Sequence, residues 1–148
     1  MMDQKLPEFD LELYLPYRFT VIGAQLSAEL AKHYKREYEI SVPEWRVLVN
    51  VGYSENPSIR DIENRVKLEK SKVSRAAAKL EAKGLITKQT DEHDRRLLKL
   101  ALTSQGTEML SKLIPVAQAF QAKLITALDG KEGALNQALN RLTETLND

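Results

Sequence analysis

Cysteine is absent from this chain and histidine nearly so, with only His33 and His93. No disulfide framework, thiolate zinc site, iron–sulfur cluster or cysteine nucleophile can form, and no metal site or cofactor is expected. Glycine and proline are scarce, six and five in 148 residues, and the balance of 43% hydrophobic to 29% charged residues excludes collagen-like, low-complexity and disordered chains. No apolar run approaches the ~20 residues needed to cross a bilayer, and Met1-Met2-Asp3-Gln4 carries neither a basic nor an apolar leader. A cytoplasmic protein with no membrane partner is expected. The length fits one domain, or two small subdomains sharing a core, and is too short for a barrel enzyme.

What the chain does have is a charge asymmetry hidden beneath a net charge of +1. Residues 1–66 hold 8 Lys/Arg against 11 Asp/Glu, residues 67–99 hold 10 against 5, and residues 100–148 hold 4 against 5. One 33-residue block carries the positive charge. Such a local excess is the electrostatic footprint of nucleic-acid binding, because Lys and Arg displace condensed counterions from phosphate. By itself it is equally the mark of a solvated face.

The periodicity is mostly helical. Leu6-Pro7 and Leu15-Pro16 mark residues 6–16 as an irregular arm. Phe19, Ile22, Leu26 and Leu30 then recur at three- and four-residue steps, predicting a helix over about 16–38. Ser41-Val42-Pro43-Glu44 has the form of a capping box and opens a second helix. Pro57-Ser58-Ile59-Arg60-Asp61 repeats that start for a third, with Ile59, Ile62 and Val66 as its buried stripe. A turn at Lys67-Leu68 leads to a fourth helix, starting near Glu69 and stopping at Gly84. Leu85–Lys88 and Leu97–Leu102 read as strands flanking a charged loop, Gln89 to Arg96. Thr103 caps a long fifth helix with Pro115 as a kink, Gly130 ends it, and a sixth carries Leu135, Leu139, Leu142 and Leu146 on one face.

The expected fold is mainly α with a small β-hairpin: a winged helix-turn-helix at residues 41–102 embedded in a helical dimerisation region at 1–40 and 103–148. The long apolar stripes at both ends of the chain predict a homodimer.

Advancing the fourth helix about 100° per residue gathers Val73, Ala76, Ala77 and Leu80 on one side and Ser71, Lys72, Arg75, Ala78, Lys79 and Ala82 on the other. Small residues permit close approach to base edges, Arg can bond guanine bidentately, and Ser and Lys can bond phosphate. In Asp91-Glu92-His93-Asp94-Arg95-Arg96 two arginines follow acids at the hairpin tip, where a guanidinium could enter the minor groove and Asp94 could pair with Arg96. A helix-turn-helix followed by an arginine-tipped wing points to double-stranded DNA. The clustered carboxylates offer no enzyme, since they sit beside arginines on a hairpin tip without a dry cleft to separate their pKa values.

Glu69-Lys70-Ser71-Lys72-Val73-Ser74-Arg75, Leu80-Glu81-Ala82-Lys83-Gly84-Leu85-Ile86, the wing Asp91 to Arg96 and Leu102-Thr103-Ser104-Gln105-Gly106 together resemble the MarR (multiple antibiotic resistance regulator) family. The resemblance runs nearly the whole length and is strongest over 69–106. It implies that Ser71, Lys72, Ser74 and Arg75 make groove and phosphate contacts, that Arg96 is the minor-groove arginine and that Asp94 supports it. Lys79 and Arg95 complete the expected DNA-binding set. His93 stands where the family often has arginine, which implies weaker or pH-dependent phosphate contact; Glu69 replaces the commoner Asp.

The resemblance further implies a triangular homodimer built from the first, fifth and sixth helices. Its recognition helices would enter successive major grooves of a pseudo-palindromic operator about 34 Å apart. Members of the family often lose DNA affinity when a small aromatic or anionic compound binds. Candidate residues are Arg18, on the stripe Leu15, Arg18, Ile22, and Arg46, in line with Val42, Val49 and Tyr53, with Tyr17 and Trp45 as aromatic neighbours. A competing role for either arginine is an ion pair with a carboxylate such as Glu44. Without cysteine, the thiol-oxidation sensing known in the family has no chemistry here. The expectation is a ligand-responsive homodimeric repressor; the alternative is a winged-helix adaptor that binds protein and not DNA.

Overall fold

The computed structural model describes residues 4–66 and 70–148, with Lys70 described by its backbone. The expected turn at Lys67-Leu68 and helix start at Glu69 lie outside the described residues. The chain divides into two compact units, Met1–Val42 and Pro43–Asp148. Among the described residues no helix is long and apolar enough to cross a membrane.

In the first unit, the arm expected to be irregular contains one 3-10 turn, Leu11–Leu13, closed where the Tyr14 N–H donates to the Leu11 carbonyl at 3.2 Å. The Phe9 and Tyr14 rings meet edge to face with centroids 5.1 Å apart, an arrangement favoured by the ring quadrupoles. Helix α1 follows over Leu15–Tyr38, with Pro16 in its first turn, where a missing N–H costs nothing. It ends at Glu39 in the left-handed conformation. Leu15, Phe19 and Ile22 are exposed, Leu26 and Leu30 half-buried, and Tyr34 fully buried along with Ile40. Burial pushes the Tyr34 hydroxyl up to about 12, because the charged phenolate would lose its hydration.

The second unit is built around a helix-turn-helix. Helix α2 spans Val42–Gly52, α3 Ile59–Val66 and α4 Lys70–Ala82. The expected box at the start of α3 forms reciprocally: the Ser58 N–H donates to Asp61 Oδ2 at 3.0 Å and the Asp61 N–H donates to Ser58 Oγ at 3.1 Å. Two orphan N–H groups of the helix end are thereby satisfied. At its other end α4 closes as a Schellman motif, with Gly84 N–H bonding the Glu81 carbonyl and Leu85 N–H the Leu80 carbonyl. That turn needs Gly84 at φ 77°, a conformation that side-chain-bearing residues resist.

Strands β1 (Ile86–Thr90) and β2 (Leu98–Leu102) pair antiparallel with Ile86 opposite Leu102 and Thr90 opposite Leu98. The loop is shorter than the sequence suggests: β1 continues through Thr90, and the Asp91 N–H still reaches the Leu97 carbonyl at 3.0 Å. A third strand-like contact flanks β2, where Ser58 bridges Lys99 and the Leu100 N–H donates to the Pro57 carbonyl at 2.8 Å. Pro57 obscured this in sequence, because it reads as a helix-start signal and offers only its carbonyl.

Helix α5 runs over Ser104–Leu128 and continues through Pro115; α6 covers Glu132–Leu146. Thr103 caps α5 as expected, its Oγ1 accepting from the Gly106 N–H at 3.0 Å. The core gathers Val47, Leu48 and Val51 of α2, Ile62 of α3, Val73, Ala76, Ala77 and Leu80 of α4, Ile86 and Leu100 of the hairpin, and Leu110 and Leu113 of α5. Each large aliphatic side chain so buried contributes about 1.5–3 kcal/mol. Helix α6, by contrast, has no fully buried residue.

Candidate nucleic-acid interface

The two sides of α4 separate as its periodicity dictates. Val73, Ala76, Ala77 and Leu80 are buried, while Ser71, Lys72, Arg75, Ala78, Lys79 and Ala82 are exposed and Ser74 is half-buried. The buried alanines and valine seat the helix on the core, which leaves the polar face standing outward. Two further features fix its C-terminal end. Thr103 Oγ1 donates to the Gly84 carbonyl at 2.6 Å, and the Thr103 N–H donates to the Leu85 carbonyl at 3.1 Å. Gly106 packs so closely that a Cβ placed there would lie 2.0 Å from the Leu85 carbonyl oxygen.

The wing tip is ordered by its own acids. Asp91 Oδ1 accepts the N–H groups of His93 at 2.7 Å and Asp94 at 3.0 Å, the local side-chain-to-backbone bonding that makes Asp a turn residue. These two backbone bonds hold the Asp91 carboxyl below its usual range, with Lys99 Nζ at 3.5 Å assisting. Asp94 receives Arg96 Nε at 3.1 Å and Nη2 at 3.3 Å, and also the Arg96 N–H at 3.1 Å. The guanidinium, followed by that backbone bond, lowers the Asp94 carboxyl in turn. The pairing anticipated from the sequence thus forms as a two-pronged clamp, and the Arg96 side chain remains 87% exposed. Arg95 and His93 are exposed on the same tip.

Of the candidate ligand residues, Tyr17 and Arg18 are exposed on α1 and Trp45 and Arg46 half-buried on α2. The apolar stripe expected to shelter Arg18 is itself open, with Leu15 and Ile22 both about half exposed. Glu44, considered as a partner for Arg18 or Arg46, takes Lys83 Nζ at 2.6 Å. Sequence reading missed that contact because the partners are 39 residues apart. The Thr103–Gly84 bond was equally hidden; only the joint presence of a cap threonine and a helix-stop glycine hinted at it. Among the described residues no group of three or more His, Cys, Asp and Glu side chains is placed to hold a metal ion.

A sequence profile of the MarR family matches residues 38–97. The HTH-type transcriptional regulator SarZ of Staphylococcus saprophyticus is 27% identical over 130 residues, covering 85% of this chain and 88% of that protein. A MarR family transcriptional regulator from Silicibacter pomeroyi has a similar structure, with a TM-score of 0.77 at 26% identity over 94% of each chain. The S. aureus MepR–DNA complex is similar in fold, with a TM-score of 0.80 at 18% identity over 94% of this chain and 99% of MepR. These relatives are transcriptional regulators and not enzymes, and the chain, with its helix-turn-helix, wing and flanking helices, is similar to the MarR family.

Proposed function

We propose that the protein is a sequence-specific double-stranded DNA-binding transcription regulator, acting in the cytoplasm as a homodimeric repressor that a small aromatic or anionic ligand releases. The observation that carries DNA binding is the exposed face of α4, where Ser71, Lys72, Arg75 and Lys79 surround Ala78 and Ala82. Alanines let the backbone approach base edges, Arg75 offers two parallel donors to a guanine, and the hydroxyl and ammonium groups suit phosphate. Ser74 sits at the edge of that face. Arg96 adds a guanidinium that is oriented by Asp94 yet open to a minor groove, with Arg95 beside it. The solved complex of MepR with DNA, a protein of the same fold, supports this reading.

Residues 41–102 then read the DNA, and 1–40 with 103–148 form the dimerisation region. Its support is the exposure of apolar side chains on α1 and on α6, including Tyr17, Phe19, Ile22, Leu135 and Leu146. For the effector, Tyr17 and Arg18 on α1 and Trp45 and Arg46 on α2 are the rings and cations whose chemistry would suit a weak aromatic acid.

The test is selection of duplexes from a random DNA pool by the purified protein at fixed salt, with sequencing of the bound fraction. An enriched inverted repeat is expected. No enrichment by an intact dimer, with or without benzoate-type ligands, would instead favour the protein-binding adaptor. With an operator in hand, titration of benzoates should lower affinity, and Arg18→Ala or Arg46→Ala should blunt that response.

A further inference from the structure

Glu44 carries a charge in a place where charge is expensive. Its side chain is 5% exposed, yet its Oε2 lies 2.6 Å from Lys83 Nζ, whose own side chain is 37% exposed. The pair joins the first turn of α2 to the residue just past α4 across 39 positions of sequence. Lys83 is the last position before Gly84, so the tie is made at the end of the helix that presents Arg75 and Lys79 outward.

A hydrophobic pair of similar volume at such a site is generally no less stable than an ion pair, because desolvating two charges offsets most of their attraction. Apolar contacts do not set direction, however. The buried face of α4 is made of Val73, Ala76, Ala77 and Leu80, mostly small groups whose packing restrains sliding weakly. A short charge-assisted bond is directional and fixes one position for the end of the helix. The same end is also bonded by the Thr103 cap of α5, and Leu85 just beyond it lies close against Gly106.

We propose that Glu44 is a positioning residue for DNA recognition: through Lys83 it sets the placement of α4, and it does so without touching DNA. This rests on the reading of α4 as a DNA-contacting helix. It also distinguishes two roles for Lys83, which would contribute as the partner of Glu44 and not as an independent phosphate contact.

The experiment is a double-mutant cycle on DNA binding with Glu44→Gln, Lys83→Gln and the double variant of the full chain. The probes are the duplex enriched by the wild-type protein and a scrambled duplex, titrated over a range of salt. Tm and sedimentation establish that each variant is folded and in the wild-type assembly state. Each single variant is expected to lose affinity for the enriched duplex on the order of ten-fold while binding the scrambled duplex as before. The double variant should be no worse than the singles, with the salt slope unchanged. Wild-type affinity in folded Glu44→Gln would overturn the proposal. So would additive losses, or a salt slope reduced by about one in Lys83→Gln, which marks a lost phosphate contact. Should Glu44→Gln unfold, Lys83→Gln, altered at a partly exposed side chain, decides by the same specific-against-scrambled ratio. Failure of the wild-type protein to enrich any duplex is a separate result, which removes the DNA reading itself.

Discussion

At the residue scale, the DNA contacts proposed for this protein are side chains held in one direction while left open. Arg96 is the clearest case, gripped through Nε and Nη2 by Asp94 and still 87% exposed. Arg96→Ala is expected to weaken binding to the selected duplex by about 1–3 kcal/mol without unfolding the protein, as read by titration alongside Tm. Asp94→Ala should weaken the same binding to a smaller extent, since it removes the orientation of the guanidinium and leaves its charge. Equal affinity of both variants to wild type would remove the wing from the interface. A different carboxylate, Asp61, links residue chemistry to stability. Its pKa lies below the ordinary 3.8, first because it accepts the Ser58 N–H and despite a smaller opposing effect of burial. The unfolded chain therefore takes up the proton more readily, and the stabilisation is present above about pH 4 and lost as pH falls through the lower folded value. Ser58→Ala should cost about 0.5–2 kcal/mol near neutral pH. Thermal unfolding between pH 7 and pH 3 should also show a shallower acid limb for Asp61→Asn than for the wild type.

At the scale of elements, the stretch from α4 to α5 is built as a single joint. The Schellman turn at Gly84, the Thr103 hydroxyl on the Gly84 carbonyl and the close approach of Gly106 to Leu85 lie within a few residues of one another in space. Gly106→Ala would place a methyl carbon 2.0 Å from the Leu85 carbonyl oxygen, and backbone, unlike a flexible side chain, has little room to yield. A loss of at least about 1–3 kcal/mol is expected, measured by denaturant midpoint, with DNA affinity falling together with it. Thr103→Val keeps the shape and removes both hydroxyl bonds, so it should lie between wild type and Gly106→Ala. Much of this arrangement was legible beforehand. The polar face of α4, both strands and the caps at Ser58 and Thr103 follow from local rules that a few neighbouring residues satisfy among themselves. Residues 6–16 and the third strand-like contact at Ser58 were not, because Pro7, Pro16 and Pro57 carry the same local signal whether the chain beyond them is irregular or paired.

At the scale of the whole molecule, the positive charge is concentrated in the segment proposed to meet DNA: ten of the 22 Lys/Arg fall within residues 67–99. Binding to any duplex should therefore weaken steeply as salt rises, even though the net charge is only +1. The apolar surface is placed elsewhere, on α1 and α6. Ile22→Glu puts a carboxylate into the exposed stripe of α1, where Ile22 is 53% exposed. The single chain should tolerate it, whereas a dimer buried there should not. Sedimentation is expected to show a shift from dimer to monomer, with loss of affinity for the inverted repeat and much less change on a single half-site. A variant that remains dimeric would place the interface away from this stripe.

The sequence alone determined the course of the helices and of the hairpin, which face of α4 is polar, the caps at Ser58 and Thr103 and that Asp94 meets Arg96, because each rests mainly on neighbouring residues. Only the tertiary structure decided what holds that face in position. Glu44 and Lys83, Thr103 and Gly84, Gly106 and Leu85 are brought together by folding of the core, and a capping glutamate, a surface lysine and a helix-start threonine look the same in sequence whether or not a distant partner waits for them. Periodicity records the direction in which a side chain points; the groups it finally meets depend on how the remaining elements pack, and that information is spread over the whole chain.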